Sequence, residues 1–469
     1  MADIPKDTES FRDKISTVDK EGKRVWIYPK KPSGNLHRAR SVVAIILLAI
    51  LFAGPFITIN GRPLLLLDIL NRNFVFFGVR FWPQDIHLFV LGTIALIVFI
   101  VLFTVVFGRV WCGWACPQTI FMEMVFRKIE YWIEGDAHQQ RKLNQAPWTA
   151  EKFFKKGAKH AIFFAIAFII GNTFLAYIIG KDALFKIITD PPSQHLAGLT
   201  AMLIFSGVFY WVYAFFREQI CTLVCPYGRL QGVLLDSKSI VVMYDFKRGE
   251  PRGKRRKNEE EKYGDCIDCN QCVEVCPTGI DIRNGTQLEC VNCTACIDAC
   301  NAVMDKVKKP RGLIRYDSYK GIENGEKLRF TPRMMGYTAV LAIIVTILTI
   351  MLLTRSPVET TILRTPGVLY QELPDGRISN LYNITVVNKT YKPMDITLQL
   401  DSIEGDIEMV GGGLHVKAST AAESAFFIKI PKGKLSARNI PLHIKVYSGN
   451  ELLESVKTSF IGPNPFQKK

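Results

Sequence analysis

Cysteine is missing from the first 111 residues of this 469-residue chain and from everything after residue 300, so all 12 cysteines lie in between. Nucleotide-binding signatures are missing as well, because the chain has neither a P-loop nor a G-x-G-x-x-G that opens a helix after a strand. Acidic residues are in deficit, with 43 Asp and Glu against 59 Lys and Arg and a net charge of +16. These absences argue against a reaction driven by ATP or NAD, so any electrons that the chain handles must come from a partner.

The chain contains long apolar runs that carry no charged residue. Five of them can each cross the roughly 30 Å hydrocarbon core of a bilayer as a helix. They occupy residues 41–59, 86–107, 160–180, 196–216 and 334–353. The polar first forty residues do not look like a secretory signal, so we expect the first run to stay as an anchor. The pattern predicts a multi-pass membrane protein.

The distribution of positive charge predicts how these spans are oriented. Lys and Arg number 10 in residues 1–40, 9 in 108–159 and 21 in 217–333, but only 3 in 60–85 and 2 in 181–195. Loops rich in Lys and Arg stay on the cytoplasmic side. The first three segments are therefore predicted inside, and the last two outside together with everything after residue 354. All the cysteines then lie inside or in the membrane, which favours metal or redox chemistry over structural disulfides.

A run of basic residues lies in the largest of the inner segments. It comprises Arg252, Lys254, Arg255, Arg256 and Lys257. Anionic lipid attracts each basic residue near the inner surface by about 1 kcal/mol. We interpret the run as a linker beside membrane lipid, and we expect no nucleic-acid partner.

Eight cysteines have the spacing of a bacterial two-cluster ferredoxin. The segments "CIDCNQCVEVCPTGI" at 266–280 and "CVNCTACIDACNAV" at 290–303 each contain C-x2-C-x2-C-x3-C. In such proteins the fourth cysteine of each run closes the other cluster. Structural zinc needs only two cysteine pairs, so a third cysteine in each run would be surplus. We predict two [4Fe–4S] clusters, one bound by the cluster-1 set, Cys266, Cys269, Cys272 and Cys300, and one by the cluster-2 set, Cys290, Cys293, Cys296 and Cys276.

The remaining four cysteines form two copies of C-x3-C-Pro. Cys112 and Cys116 follow the second apolar run, and Cys221 and Cys225 follow the fourth. Positions i and i+4 share a helix face, whereas the proline after each pair favours a bend. If neighbouring helices bring the pairs together, these four motif thiols form a site of a type that selects Cu(I), zinc or iron–sulfur. Reversible disulfide chemistry and plain packing of a small apolar residue remain alternatives.

Other side chains that anchor helices or bind soft metals lie near the motifs. Trp111, Trp114 and Trp132 fit ordinary anchoring at the membrane interface. Met122 and Met124 are soft enough to bind copper, but helix packing explains them better. Neither group adds a ligand to the predicted sites.

The last part of the chain reads as a β-domain. Residues 356–469 show strand alternation at 382–390, 394–402, 424–430 and 441–448, separated by turn signals at 374–376, 411–413, 431–433 and 448–450. Short strands at this spacing favour an immunoglobulin-like sandwich. His415 and His443 are isolated in it, so we interpret them as surface or structural residues rather than a copper site.

In this combination the chain resembles the CcoG/FixG/RdxA family of cytochrome c oxidase accessory proteins, which are membrane-bound polyferredoxins. The resemblance covers essentially the full length. It is carried by "CGWACP" and "CTLVCP", the double ferredoxin run at 266–300, the five spans and the β-domain. Membrane ferredoxins of nitrate and nitrous-oxide respiration share the first two features but generally lack the β-domain.

The resemblance implies a function and partners. It implies a cupric reductase that converts Cu(II) to Cu(I) for assembly of a haem–copper oxidase, with copper as substrate or bound metal at Cys112, Cys116, Cys221 and Cys225. Oxidase assembly factors and a copper-transporting ATPase or chaperone are the implied partners, in a bacterial inner membrane. The electron donor and a homodimeric state stay open. The alternatives are an electron relay from the quinol pool without a copper site, and a non-enzymatic assembly scaffold.

The predicted architecture is that of a multi-domain membrane protein. It has a five-helix transmembrane region, a bacterial two-cluster ferredoxin-like domain and a C-terminal immunoglobulin-like β-sandwich. The predicted boundaries are an inner segment at 1–40, a four-helix membrane region at 41–250, the ferredoxin domain and its linkers at 251–333, the fifth span at 334–354 and the outer β-domain at 355–469.

Overall fold

The computed structural model describes most of the chain. The described residues are 17–18, 21–59, 61–69, 73–253, 263–327, 331–367, 369–401, 403–418 and 420–463. Of the predicted basic run, only Arg252 lies among them, while Lys254, Arg255, Arg256 and Lys257 lie outside the described residues. The chain divides into two compact units, Met1–Ile347 and Leu348–Lys469.

Helices dominate the first unit. In chain order the helices of the described residues are α1 (Asn35–Ala53), α2 (Ile86–Phe107), α3 (Val110–Trp114), α4 (Pro117–Thr119), α5 (Arg127–Ile133), α6 (Ala137–Gln145), α7 (Ala150–Ile179), α8 (Lys181–Thr189), α9 (Leu196–Trp211), α10 (Pro226–Leu234), α11 (Phe246–Gly249), α12 (Gln271–Glu274), α13 (Ala295–Lys306), α14 (Tyr319–Asn324) and α15 (Pro332–Leu353). Three π-helical segments interrupt this order at Ile120–Phe126, Val212–Phe216 and Ile220–Val224.

Five helical segments of the described chain are long and apolar enough to cross a membrane. They are Asn35–Ala53, Pro83–Phe107, Ala150–Ile179, Pro192–Phe216 and Pro332–Leu353. The five predicted spans are thereby confirmed as helices. All five start earlier than the apolar runs indicate, and the first ends at Ala53 rather than at residue 59.

The early start of α7 has a clear physical cause. Its first turns carry lysines that a purely apolar criterion rejects. Lys156 and Lys159 each place their Nζ 2.9 Å from a carboxylate oxygen of Glu134. Because these charges are paired, the helix can begin before the apolar stretch does.

Short strands fill the connections of the first unit. They are β1 (Thr58–Ile59), β2 (Arg62–Pro63), β3 (Leu65–Asp68), β4 (Asn73–Phe76), β5 (Val79–Phe81), β6 (Val241–Tyr244) and β7 (Ile314–Asp317). Strands β3, β4 and β5 form an antiparallel sheet between the first two spans, which the sequence did not predict. Strands β6 and β7 pair antiparallel on either side of the cysteine-rich segment and frame it.

The second unit is a two-sheet sandwich. Its strands are β8 (Val358–Arg364), β9 (Gln371–Glu372), β10 (Arg377–Asn388), β11 (Met394–Leu400), β12 (Asp406–Met409), β13 (Leu414–Val416), β14 (Ala421–Pro431), β15 (Asn439–Ser448) and β16 (Glu451–Ile461). One sheet has the order β12-β14-β10-β8 with β9 beside β10, and the other has the order β13-β11-β15-β16.

The core between these sheets is apolar and aromatic. Tyr382, Phe426 and Phe460 are fully buried. The rings of Tyr382 and Phe426 stack with centroids 5.4 Å apart. The Tyr382 hydroxyl donates to the Ser459 carbonyl at 2.8 Å, which satisfies its one polar group. The predicted immunoglobulin-like sandwich is confirmed.

Candidate functional site

The eight ferredoxin-type cysteines surround two adjacent cavities. Cys266, Cys269, Cys272 and Cys300, the cluster-1 set, line one of them. The second cavity is lined by the cluster-2 set, Cys276, Cys290, Cys293 and Cys296, together with Cys272. The fourth cysteine of each run thus faces the cavity of the other run. The ligand assignment itself stays a prediction.

The two cysteine loops share an unusual backbone. Around the middle cysteine of each loop, two non-glycine residues have positive φ: Asp268 (52°) and Asn270 (59°) in the first, Asn292 (54°) and Thr294 (67°) in the second. Alternation between right- and left-handed residues curls the chain into a concavity that collects backbone N–H groups, as in many iron–sulfur sites. The same conformation therefore recurs at both predicted clusters.

The donor set fits iron–sulfur clusters. Burial raises the pKa of Cys272, Cys290 and Cys300 to about 12, so these thiols give up their protons only to a strong Lewis acid. Within the described residues, no three His, Cys, Asp or Glu side chains converge closely enough for a single metal ion. Thiols spread around a cavity suit a multi-iron cube better than one zinc ion. Clusters bound here would supply one-electron transfer.

Both C-x3-C-Pro motifs adopt the same local structure. Each follows a span that ends at a residue with a rare backbone conformation, Gly108 (φ 56°, ψ −131°) and Arg217 (φ 55°, ψ −126°). A helical turn then carries the first cysteine, Cys112 or Cys221. The second cysteine of each pair is extended and starts the next helix with its proline. The motifs are thus a structural repeat, and their thiols do not share one helix face.

The two motifs meet in space. Cys221 lies within electrostatic range of the other three motif thiols, Cys112, Cys116 and Cys225. None of the twelve cysteines forms a disulfide. Within the part of the chain that the structure describes, no three motif thiols lie close enough together to hold one metal ion.

Two buried polar residues support these thiols, and sequence reasoning missed both. Gln231 of α10 accepts a hydrogen bond from the Cys112 thiol at 3.3 Å and from Arg109 Nε at 2.8 Å. Arg109 is buried and also bonds to the Leu288 carbonyl. Its guanidinium favours the thiolate form of both Cys112 and Cys221. The only signal for Arg109 in the sequence was its place just before the first motif.

A buried ion network holds the second motif. Arg217 Nη2 lies 2.5 Å from a carboxylate oxygen of Glu130, and both side chains are buried. The fully buried Arg127 pairs with Glu123 at 2.5 Å and with Glu218 at 3.5 Å. These ion pairs offset the conformational cost of the positive φ angle of Arg217. They also set the orientation of the turn that leads to Cys221.

The tryptophans and methionines near the motifs have different roles. Trp111 and Trp132 are exposed, as interfacial anchors would be. Trp114 differs from that prediction, because its Nε1 donates to the Tyr316 hydroxyl at 3.1 Å. Met122 and Met124 are buried in apolar clusters, which is the packing role expected of them. In the sandwich, His415 bonds to Asp395 at 2.7 Å and is mostly exposed.

An apolar cavity of about 350 Å³ lies beside the first motif. Ala115 and Pro117, on either side of Cys116, form part of its wall. The rest comes mainly from the spans α1 and α7, including Leu47, Leu51 and Phe174. The volume is within the range of pockets that bind small organic ligands.

Family models match three parts of the chain. A 4Fe-4S binding domain matches residues 89–135, which contain the first motif. A 4Fe-4S dicluster domain matches residues 216–319, which contain the second motif and the eight ferredoxin-type cysteines. The immunoglobulin-like fold at the C-terminus of FixG matches residues 348–463.

Curated relatives match along most of their length. The nitrogen fixation protein FixG of Rhizobium meliloti is 32% identical over 464 residues, covering 88% of this chain and 88% of that protein. Proteins RdxB and RdxA of Cereibacter sphaeroides are 35% and 34% identical, covering 82% and 87% of this chain and 84% and 89% of theirs. The crystal structure of a FixG-related protein from Vibrio parahaemolyticus aligns with 22% of this chain and 95% of its own, at 20% identity and a TM-score of 0.20.

Proposed function

The chain belongs to the FixG/RdxA family of membrane-associated iron–sulfur electron-transfer proteins, and on that premise we propose that it reduces Cu(II) to Cu(I) at the motif thiols. The observation that carries the proposal is that Cys221 packs against the apolar cluster of Cys112, from a distant segment, and lies within electrostatic range of Cys116 and Cys225. Thiolates are soft ligands that prefer Cu(I) to Cu(II). Such a site stabilises the product of the reduction and makes the reaction more favourable.

The proposed reduction of Cu(II) requires only a few residues of the chain. Cu(II) is the substrate and takes up one electron to become Cu(I). The motif thiols bind the copper ion, and burial of Cys112 keeps it from free solution. Gln231 orients the Cys112 thiol, and Arg109 partly balances the negative charge that builds up when thiols ionise. Iron–sulfur clusters at the cluster-1 and cluster-2 sets would supply the electron.

The cellular setting follows from the charge distribution. We infer an inner-membrane protein whose N-terminus and ferredoxin region face the cytoplasm and whose sandwich faces the periplasm. There, Cu(I) would pass to a copper-transporting ATPase or chaperone and to factors that assemble a haem–copper oxidase. The sandwich would be the docking module for such a partner.

A variant without motif thiols tests the copper site. The protein is purified without oxygen, its clusters are reduced, and Cu(II) is added together with a Cu(I)-specific chelator. We expect cluster oxidation and Cu(I) formation to appear together in the parent protein. With Cys112, Cys116, Cys221 and Cys225 all changed to alanine, both should be lost while the iron content stays at the parent value.

A second candidate function is an electron relay from the quinol pool without a copper site. The apolar cavity beside Cys116 favours it, because a lipid-soluble donor could enter there from the membrane. The same experiment distinguishes the two functions. If the four-alanine variant reduces copper as fast as the parent protein, the motif thiols are not the copper site and the relay becomes the better explanation.

A further inference from the structure

The motif thiols pack against one cluster set. Cys112 and Cys293 belong to a single buried apolar cluster, and Cys221 and Cys296 are packed against it. The cluster-1 set is absent from the described members of that cluster. Three of its cysteines lie in a neighbouring apolar cluster, which they share with three cysteines of the cluster-2 set. The order in space is therefore cluster-1 set, cluster-2 set, motif thiols.

A glycine permits a close approach between the cluster-2 set and the motif thiols. Gly113 lies between Cys112 and Cys116. A Cβ atom at this position would fall 2.5 Å from the Val291 carbonyl oxygen and 2.7 Å from that of Asn292. Both obstacles are backbone atoms of the loop between Cys290 and Cys293, so any side chain at 113 would push the two loops apart.

Hydrogen bonds hold the two loops in register. Arg40 Nε donates to the Gly113 carbonyl at 2.6 Å. Trp114 Nε1 donates to the Tyr316 hydroxyl, which in turn donates to the Asn292 carbonyl at 3.0 Å. Arg40 thus fixes the backbone of Gly113, and Tyr316 links Trp114 to the Val291–Asn292 loop, so the contact does not depend on apolar packing alone.

The other end of the series is open to solvent. Cys269 of the cluster-1 set is exposed, whereas the other eleven cysteines are buried or partly buried. A one-electron reductant in solution therefore meets the cluster-1 side first. The copper-binding end and the solvent-facing end lie on opposite sides of the cluster-2 set.

We propose that Gly113 is a positioning residue that seats the motif thiols on the Val291–Asn292 loop, so that a cluster held by the cluster-2 set would be the centre nearest to them. The copper step rests on the proposed function: a reduced cluster held there would give up one electron, and Cu(II) would accept it to become Cu(I). A soluble one-electron reductant would replace that electron from the Cys269 side. The positioning role itself does not depend on copper reduction.

Spin relaxation tests the order of the centres without copper. Co(II) accepts thiolate ligands and is paramagnetic, and it does not oxidise the reduced clusters. The Cys269→Ala variant leaves the cluster-1 set one ligand short, so the electron paramagnetic resonance signal that survives in it belongs to the cluster-2 set. We expect Co(II) to speed the relaxation of this signal several-fold more than that of the other signal in the parent protein.

Gly113→Ala tests the contact, with Gly207→Ala as the matched control because a Cβ atom at 207 meets nothing within 4 Å. We expect Gly113→Ala to weaken the Co(II) effect on the cluster-2 signal and to slow cluster oxidation by Cu(II) by roughly ten- to a hundredfold, with iron content unchanged. Gly207→Ala should keep the parent values. If Gly113→Ala loses its iron, Trp114→Phe, which lacks the indole donor, should show the same changes to a smaller degree.

The outcomes separate this inference from the proposed function. Equal relaxation of both signals, no effect on either, or a stronger effect on the signal lost in Cys269→Ala overturns the inference. So does a Gly113→Ala protein with full iron and unchanged relaxation. A parent protein that shows the expected relaxation but does not reduce Cu(II) supports the positioning role and contradicts the copper function.

Discussion

At the scale of single residues, Cys221 shows that a thiol with a raised pKa must release its proton before it can bind a metal. Burial, together with the nearby thiols of Cys116, Cys112 and Cys225, raises the pKa of this thiol to about 12, and Arg109 offsets part of the rise. Burial also raises the pKa of Cys112. Metals bind the thiolate, so each motif thiol that becomes a ligand must release a proton. At neutral pH, protons therefore compete with any metal ion for these thiols.

This competition predicts a pH dependence. Because the raised pKa keeps the thiols protonated through the neutral range, raising the pH should strengthen Cu(I) binding, and binding should release protons. Competition with a Cu(I) chelator at several pH values, with proton release followed by an indicator, measures both. The four-alanine variant is the control and should show neither effect. Affinity that is flat or falls with rising pH would contradict the prediction.

At the scale of elements, the first span is anchored by the ferredoxin region. Helix α1 has no side-chain cap from its own N-cap residue, Gly34. Asp298, between Cys296 and Cys300 on α13, accepts instead from the backbone N–H of Leu36 at 3.3 Å and of His37 at 2.8 Å. A carboxylate here satisfies orphan donors and complements the helix dipole. The cap therefore joins the first span to α13, the helix that carries the predicted cluster ligands Cys296 and Cys300.

Removing this cap should loosen both parts. Asp298→Ala is expected to cost about 1 kcal/mol, as loss of an N-cap does. Asp298→Asn keeps an acceptor oxygen and should remain close to the parent protein. The half-life of bound iron during heating in detergent is the appropriate measure, since membrane proteins of this size unfold irreversibly. Equal half-lives for the alanine variant and the parent would show that the cap contributes nothing.

At the scale of the whole molecule, the cysteines and the sandwich belong to different units of the chain. The twelve cysteines all lie in the first unit, Met1–Ile347. The second unit has its own core, which includes Val358, Phe426, Leu442 and Phe460. Among the described residues, the hydrogen bonds that support the cysteines come from the first unit, so we expect the two units to tolerate separation.

Deletion of residues 356–469 tests that division. If the proposed function holds, we expect the shortened protein to keep its iron and to reduce Cu(II), and the cell to lose oxidase assembly, because the proposed docking module is gone. Phe426→Ala in the full chain is the matched variant, since emptying a buried aromatic site costs about 3–5 kcal/mol and disrupts the sandwich alone. Iron content and oxidase activity are the readouts. Loss of iron on deletion would show that the units depend on each other.

Local patterns predicted much of this fold. The five spans follow from apolar length, and β10, β14 and β15 follow from alternation, because each is long enough for its period to be read. The sheet β3–β5 was missed, since its strands have four residues or fewer and little periodicity. The predicted start of α7 was too late because its charged first turns are stabilised by Glu134, the residue that follows α5.

The cysteine spacing, the number of spans and the family can all be read from the amino-acid sequence, since each depends on residues close together in the chain or on the pattern as a whole. How the two motifs meet, and what supports them, emerges only in the folded chain. Arg109 and Gln231 are 122 positions apart, and Asp298 lies 262 positions from the helix that it caps. No local pattern encodes such pairs, because chain folding alone brings them together. The contact between Gly113 and the Val291–Asn292 loop is of the same kind, and it places the thiols beside the cluster-2 set.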